Sequence, residues 1–406
     1  MRGVNHLART RIFAGVPVAA LAAAMFGVGA TGATRATVAG RAAAASQVNG
    51  AAHRRDITTG EQIYRTTCAA CHGADGKGAP RTTVGFAETL PDLTDCKLTS
   101  SEMDADLVAI IRDGAPVRGL TRIMPAFRDL LTAAEIRSVI DYIHSLCHES
   151  GWPRGDFNLP LPQVTEKAFP EDEMVLTSAA STGGPGSVTN HVIFEKRFGS
   201  HDQLELDVPF GFVARPGHSS WAGGLGDISI APKHVFWSSL SSGTILSGLA
   251  GVILPTGDQP TGLGSGTTAF EGYLLGAQLL PRRSFFQFQG GVELPVDRTR
   301  AQPAASWSGA LGKTVAFGPI TRIWSPMVEL TGTRDFIKGA PVDWDVVPQF
   351  QLSLSALQHV RMGVGVDIPL TDTRTRYSQI RAYLLWDMYD GTLLQGWKGW
   401  CPGCQH

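Results

Sequence analysis

The sequence predicts an α+β chain of two parts, a small all-α domain followed by an antiparallel β-barrel of about twelve strands. Three observations carry that reading. Residues 56–149 place apolar side chains at helical spacing around the stretch Cys68-Ala-Ala-Cys71-His72. Beyond residue 172 the apolar positions change to a period of two. The connections between the period-two segments then alternate between short and long.

A chain of 406 residues has room for two domains. Its formal net charge is −1 and only 17% of its residues are charged, so there is no basic patch of the kind that meets nucleic acid. Residues 1–45 belong to neither part. Arg2, Arg9 and Arg11 precede an apolar run from Ile12 to Ala30, which reads as a secretory signal with its cut near Ala43–Ala45 or near Ala33. The run is also near the length of a membrane span.

In the all-α part, residues 58–67 (TTGEQIYRTT) suit a helix that runs into the cysteine pair. Two cysteines separated by two residues and followed at once by histidine read as an attachment site for a covalent c-type haem. Each thiol can add to one vinyl group, and the next side chain then lies under the iron. A zinc site would need a second ligand pair, and a thioredoxin-type site would need a βαβ setting; the flanking sequence offers neither. Gly73 to Gly78 let the chain turn beneath a porphyrin. Met124, in Ile-Met-Pro-Ala-Phe, is the candidate sixth ligand, because a thioether is soft and a Met/His pair raises the reduction potential. A closing helix is expected from Thr132 to Cys147. Thr132 and Glu135 form a capping box, and Ile136, Val139, Ile140, Ile143 and Leu146 make its apolar face. Tyr142 could meet the first helix near Gly60 and Tyr64. His144 and His148 read as surface residues, and His53 precedes the domain.

On Gly60, Tyr64, the motif at 68–72, Met-Pro-Ala-Phe at 124–127 and the last helix with Tyr142, this stretch resembles a class I cytochrome c. The resemblance implies one covalent haem c, His72 and Met124 as axial ligands of the iron, and one-electron transfer. It also implies attachment outside the cytoplasm, in keeping with the secretory signal. Cys96 and Cys147 depart from the family pattern; they are either buried and inert or joined as a disulfide.

Residues 150–172 are Pro-rich with little periodicity and read as a linker or extended segment. From residue 173 to 390, twelve segments alternate apolar and polar positions, as in Leu204, Leu206, Val208, Phe210 and Phe212, or Met362, Val364, Val366 and Ile368. Short turns at one end and long loops at the other point to an outer-membrane barrel. The competing reading is a soluble sandwich or lipocalin-like barrel, whose apolar face would point inward. An even strand count puts both barrel ends on the short-turn, periplasmic side. Gly-Leu-Gly-Asp at 224–227, residues 252–258 (VILPTGD) and Leu-Gly-Ser-Gly at 263–266 resemble the phenol degradation (meta-pathway) or transporter family of outer-membrane barrels. That resemblance implies a membrane barrel and passage of small molecules, and carries over no site residue. The tail, 391–406, ends with Cys401 and Cys404, and Gln405 stands where a proximal histidine would be needed; a short-loop disulfide is the expectation there.

No catalytic constellation stands out, so the expected function is an electron carrier and not an enzyme. The expectation is a haem domain that faces the periplasm, exchanges electrons with periplasmic redox proteins and is anchored to the outer membrane by the barrel. The alternative makes the barrel a channel or transporter and the haem domain its gate or redox-responsive plug. A peroxidase would need an open sixth position on the iron, which Met124 would close.

Overall fold

The computed structural model describes residues 59–388 except 88–89, 119, 150, 215–219, 318–319 and 356–357. The expected signal segment, His53 and the Cys401/Cys404 tail lie outside the described residues. The chain divides into two compact units at Gly155/Asp156.

The regular structure of the first unit is helical. A helical run covers residues 59–72, and its middle, Tyr64–Cys68, is a π-helix. Short helices follow at Arg81–Val84 and Cys96–Ser101, then longer ones at Asp104–Asp113 and Ala133–Ser145. The last is the expected closing helix. Thr132 caps it, the Glu135 N–H donating to Thr132 Oγ1 (3.3 Å) and the Thr132 N–H to the Glu135 carboxylate (2.7 Å). Its Ile136, Val139 and Ile140 form an apolar core with Ile111. The first run crosses it closely: a Cβ on Gly60 would lie 1.8 Å from the Ser138 carbonyl oxygen, and the Tyr64 and Tyr142 rings are 5.1 Å apart. The helix Asp104–Asp113 has no counterpart among the expectations. Asp104 and Asp106 in its first turn, Arg112 in its last turn and Gly114 after it all suit a helix.

The second unit is one antiparallel sheet of fourteen strands. They are β1 (Glu173–Ser181), β2 (Ser187–Phe198), β3 (Asp202–Ala214), β4 (Trp221–Leu225), β5 (Ser229–Ser239), β6 (Thr244–Ile253) and β7 (Ala269–Leu280). The sequence continues with β8 (Ser284–Pro295), β9 (Ala304–Lys313), β10 (Val315–Phe317), β11 (Ile320–Asp335), β12 (Asp343–Ser353), β13 (Val360–Pro369) and β14 (Gln379–Asp387). The short β4 and β10 pair antiparallel with the ends of β3 and β11 and stand outside the ring. The other twelve close into a barrel, because β14 pairs with β1 (Leu385 opposite Val175) and β9 pairs with β11. Residues 199–201, 240–243 and 281–283 make short turns at the end where β1 begins. The β3–β5 and β6–β7 connections at the other end are long. In those loops the three glycine-rich pieces of sequence converge: the Asp227 carboxylate accepts the N–H groups of Gly257 (2.9 Å) and Ser265 (2.6 Å).

Exposure decides which way the strands face. On β11, Val328 and Leu330 are 54% and 45% exposed while Glu329 and Thr331, which alternate with them, are 0% exposed. On β3, Leu204 and Phe212 face out and Gln203 faces in. Apolar outside and polar inside is the arrangement of a membrane barrel and the reverse of a soluble one. Among the described residues no helix is long and apolar enough to cross a membrane.

The Pro-rich stretch expected as a linker has another character. Residues 156–172 belong to the barrel unit, and their partners lie all round the closed ring. The Leu161 N–H donates to Gln351 on β12 (3.0 Å), the Glu166 N–H to Gln289 on β8 (2.7 Å), and the Glu171 N–H to Gln203 on β3 (2.7 Å). Ser247 on β6 donates to the Ala168 carbonyl (2.5 Å), and Tyr383 on β14 to that of Leu161 (2.6 Å). Only a segment inside the barrel can reach all of these strands. Phe157, Leu159 and Phe169 pack there against Val235, Ile245, Leu275 and Phe285. Buried charges are paired: Lys233 Nζ lies 2.8 Å from Glu166 and 3.4 Å from Glu195, and Lys167 Nζ lies 2.6 Å from Glu171 and 3.1 Å from Glu173.

Candidate haem site

Cys68 is the last residue of the π-helical turn, and Cys71 and His72 end the same run. The wider turn puts an extra residue between Tyr64, which points into the crossing with the closing helix, and the cysteine pair. Backbone bonds then fix the chain after His72. The Gly78 N–H donates to the His72 carbonyl and the Ala79 N–H to that of Cys71, both at 2.8 Å. The fully buried Tyr64 donates its hydroxyl to the Gly73 carbonyl (2.9 Å) and, at 3.3 Å, to that of His72. Burial, followed by the neighbouring Cys68, pushes the Tyr64 hydroxyl well above its ordinary range, so it remains a donor.

Both thiols of the pair are free and half-buried. Burial, with a smaller contribution from Cys71, pushes Cys68 up to about 11, so this sulfur stays protonated near neutral pH. Burial lowers the His72 pKa, which keeps the imidazole neutral with a lone pair to give. His72 Nδ1 is buried and makes no hydrogen bond.

Met124 lies on the apolar cluster of Ile111, Ile136, Val139 and Ile140, and so does Cys68. Its loop is pinned to the end of the helix Asp104–Asp113. The Ala115 N–H donates to the Met124 carbonyl (3.2 Å), and the Phe127 N–H to that of Ile111 (3.0 Å). Gly114 has φ +84°, and a side chain there would press on the Met124 carbonyl oxygen at 3.1 Å. The donor set therefore suits an iron porphyrin: two free thiols, a half-buried imidazole whose pKa burial lowers, and a thioether on an apolar wall.

His144 is not the surface residue expected. Its side chain is 9% exposed, and Nε2 lies 3.0 Å from Asp104, whose carboxylate also takes Arg154. The helix bearing it packs inward there because Asp104 and Arg154 offer the ring a polar seat. His148 is exposed. Cys96 and Cys147 are joined as a disulfide with their Cα atoms 4.9 Å apart. A buried ion cluster went unseen in the sequence: Arg118, 2% exposed, lies 3.2 Å from Asp106 and 3.4 Å from Glu102. An arginine in a short Gly/Pro stretch gives no sign of burial.

Comparison with known proteins agrees with this division. Residues 55–143 match the family described as "Cytochrome C oxidase, cbb3-type, subunit III". Residues 173–374 match the family described as "Putative MetA-pathway of phenol degradation". The cbb3-type cytochrome c oxidase subunit FixP of Bradyrhizobium sp. (strain ORS 278) is 33% identical over 91 residues, which is 22% of this chain and 28% of the relative. The chain thus spans less than a third of that relative. Among solved structures, an outer membrane channel from Pseudomonas putida F1 is 12% identical, covering 56% of this chain and 99% of its own, with a TM-score of 0.41. The KdgM porin is 10% identical, covering 53% and 98%, with a TM-score of 0.37.

Proposed function

We propose, for a chain that joins a cytochrome c domain to an outer-membrane-type β-barrel of the phenol-degradation family, that it is a one-electron carrier anchored in the outer membrane. Cys68 and Cys71 would hold one haem c through their sulfurs, and His72 and Met124 would supply the protein ligands of its iron. The observation that carries the reading is the meeting of two free thiols and a neutral, half-buried His72 with an apolar wall that Cys68 shares with Met124. Haem c, when bound, supplies a one-electron iron couple whose potential a Met/His pair raises. The protein's own part is to position. Tyr64 and Gly78 fix the His72 carbonyl, the backbone of Ala115 fixes that of Met124, and Ile111, Ile136 and Val139 exclude water. With both residues as ligands, the iron would have no open position for peroxidase-type chemistry.

The apolar outer face of the barrel supports a seat in the outer membrane, and the short turns beside the start of β1 support a periplasmic haem domain with periplasmic redox partners. The filled interior favours an anchor over an open channel for small molecules. The test is fractionation. Outer-membrane protein that is heat-modifiable, keeps haem stain after denaturing extraction and gives sharp c-type α and β bands on reduction is expected. Absence of those bands sinks the haem assignment. Steady ion conductance by the full chain in planar bilayers would instead favour the channel reading.

A further inference from the structure

The Cys96–Cys147 disulfide leaves the cysteine pair of the haem motif free, and the cytochrome pattern does not call for it. What it joins is informative. Gly76, in the turn after His72, is buried with φ +83°. A Cβ on it would lie 2.8 Å from Leu146 Cδ1 and 3.4 Å from Thr94 Cγ2. The Leu93 N–H donates to the Gly76 carbonyl at 2.8 Å. The turn is thus gripped from two sides, by residues 93–94 and by Leu146. Cys96 comes two positions after Thr94, and Cys147 comes directly after Leu146. The disulfide therefore ties the two jaws of the grip together. The turn in turn holds His72, since the Gly78 N–H donates to the His72 carbonyl and the Ala79 N–H to that of Cys71. The Met124 loop is held by the backbone of Ile111 and Arg112, through bonds in which neither cysteine takes part.

We infer that the Cys96–Cys147 disulfide is a positioning device for His72, acting through Leu93, Thr94 and Leu146 on the turn at residues 73–79, and not a general staple of the domain. This rests on the reading of residues 68–72 as the haem site. The chain separation of 51 residues would let a disulfide constrain the unfolded domain as a whole, so the two roles need a local readout to tell them apart.

The test uses the full-length holoprotein with both cysteines replaced (Cys96→Ser with Cys147→Ser), and separately Leu146→Ala with the disulfide intact. Amide hydrogen exchange is read at Gly78 and Ala79 on the histidine side, and at Phe127 and Arg128 on the methionine side. Both variants should exchange about tenfold faster at Gly78 and Ala79, with Phe127 and Arg128 unchanged, as expected of a local opening. Electron paramagnetic resonance of the oxidised double variant should show more than one low-spin species where the parent shows one. Equal acceleration on both sides, or none on the histidine side, overturns the proposal. If the double variant does not fold, Leu146→Ala decides alone: unchanged exchange at Gly78 and Ala79 overturns it. A parent protein without haem overturns the haem reading, while the exchange comparison still reads the role of the disulfide.

Discussion

The two units of this chain fold by opposite solvent rules. In the helical unit Ile136, Val139 and Ile140 are buried, and the face that carries Ala134 and Arg137 is turned to water. In the barrel Val328 and Leu330 are exposed and Glu329 is buried. The difference teaches that amphipathic periodicity gives the geometry of an element but not which of its faces is the core. A polar barrel interior also carries an obligation that an apolar core does not. Each inward donor and acceptor needs a partner, and the segment at 156–172 supplies many of them.

Breaking that supply inside the barrel should have the largest effect. Lys233 is fully buried, 2.8 Å from Glu166 and 3.4 Å from Glu195. Lys233→Met would leave those carboxylates without their cation, at a cost of about 3–5 kcal/mol. The barrel's heat-modifiability midpoint should fall, while the thermal midpoint of the helical unit stays as in the parent. An unchanged barrel midpoint would mean that the interior is wet enough to solvate the carboxylates.

A pair of matched substitutions sharpens the contrast of outer surfaces. Leu330 and Leu130 are both exposed, at 45% and 74%. Leu330→Arg on β11 should cost about 2–4 kcal/mol, the penalty of a charge at the lipid face near mid-membrane. Leu130→Arg on the helical unit faces water and should stay within about 0.5 kcal/mol. Unfolding midpoints in detergent and in lipid vesicles would measure both. Equal, small effects would remove the argument that the barrel's outside is a lipid surface.

Much of this was legible in the residues because the relevant forces are local. The capping box at Thr132 and Glu135 and the period-two strands both depend on neighbours within a turn or along a strand. The direction of the strands was not, since period two fits a lipid-facing and a water-facing sheet alike, and the alternating loop lengths had to stand in for it. The segment at 156–172 escaped because its order comes from distant side chains: Leu161 meets Gln351 and Tyr383, and Thr165 meets Glu329. Of the candidate site, Cys68, Cys71 and His72 stand together in one motif. The apolar wall that Cys68 shares with Met124 depends on Ile111, in a helix that the apolar spacing of Leu107, Val108 and Ile111 with Gly114 could have revealed.

The smallest expected effect concerns Asp104, where the helical unit holds a partly exposed ion pair instead of a fully buried one. Its carboxylate accepts from Arg154 at 2.7 and 2.9 Å and lies 3.0 Å from His144 Nε2. Burial alone would push its pKa up, but the His144 hydrogen bond and the Arg154 charge outweigh it, and the net shift is downward. A carboxyl group whose pKa is lower folded than unfolded stabilises the fold above its unfolded value, about 3.9. That contribution is lost as pH falls through the folded value. Asp104→Asn should therefore lower the thermal midpoint of the helical unit at neutral pH, and the two proteins should converge as the solution is acidified below about pH 4. The barrel's midpoint in the same samples should not distinguish them. A gap between parent and variant that stays constant across the acid range would show that Asp104 acts through shape and not through charge.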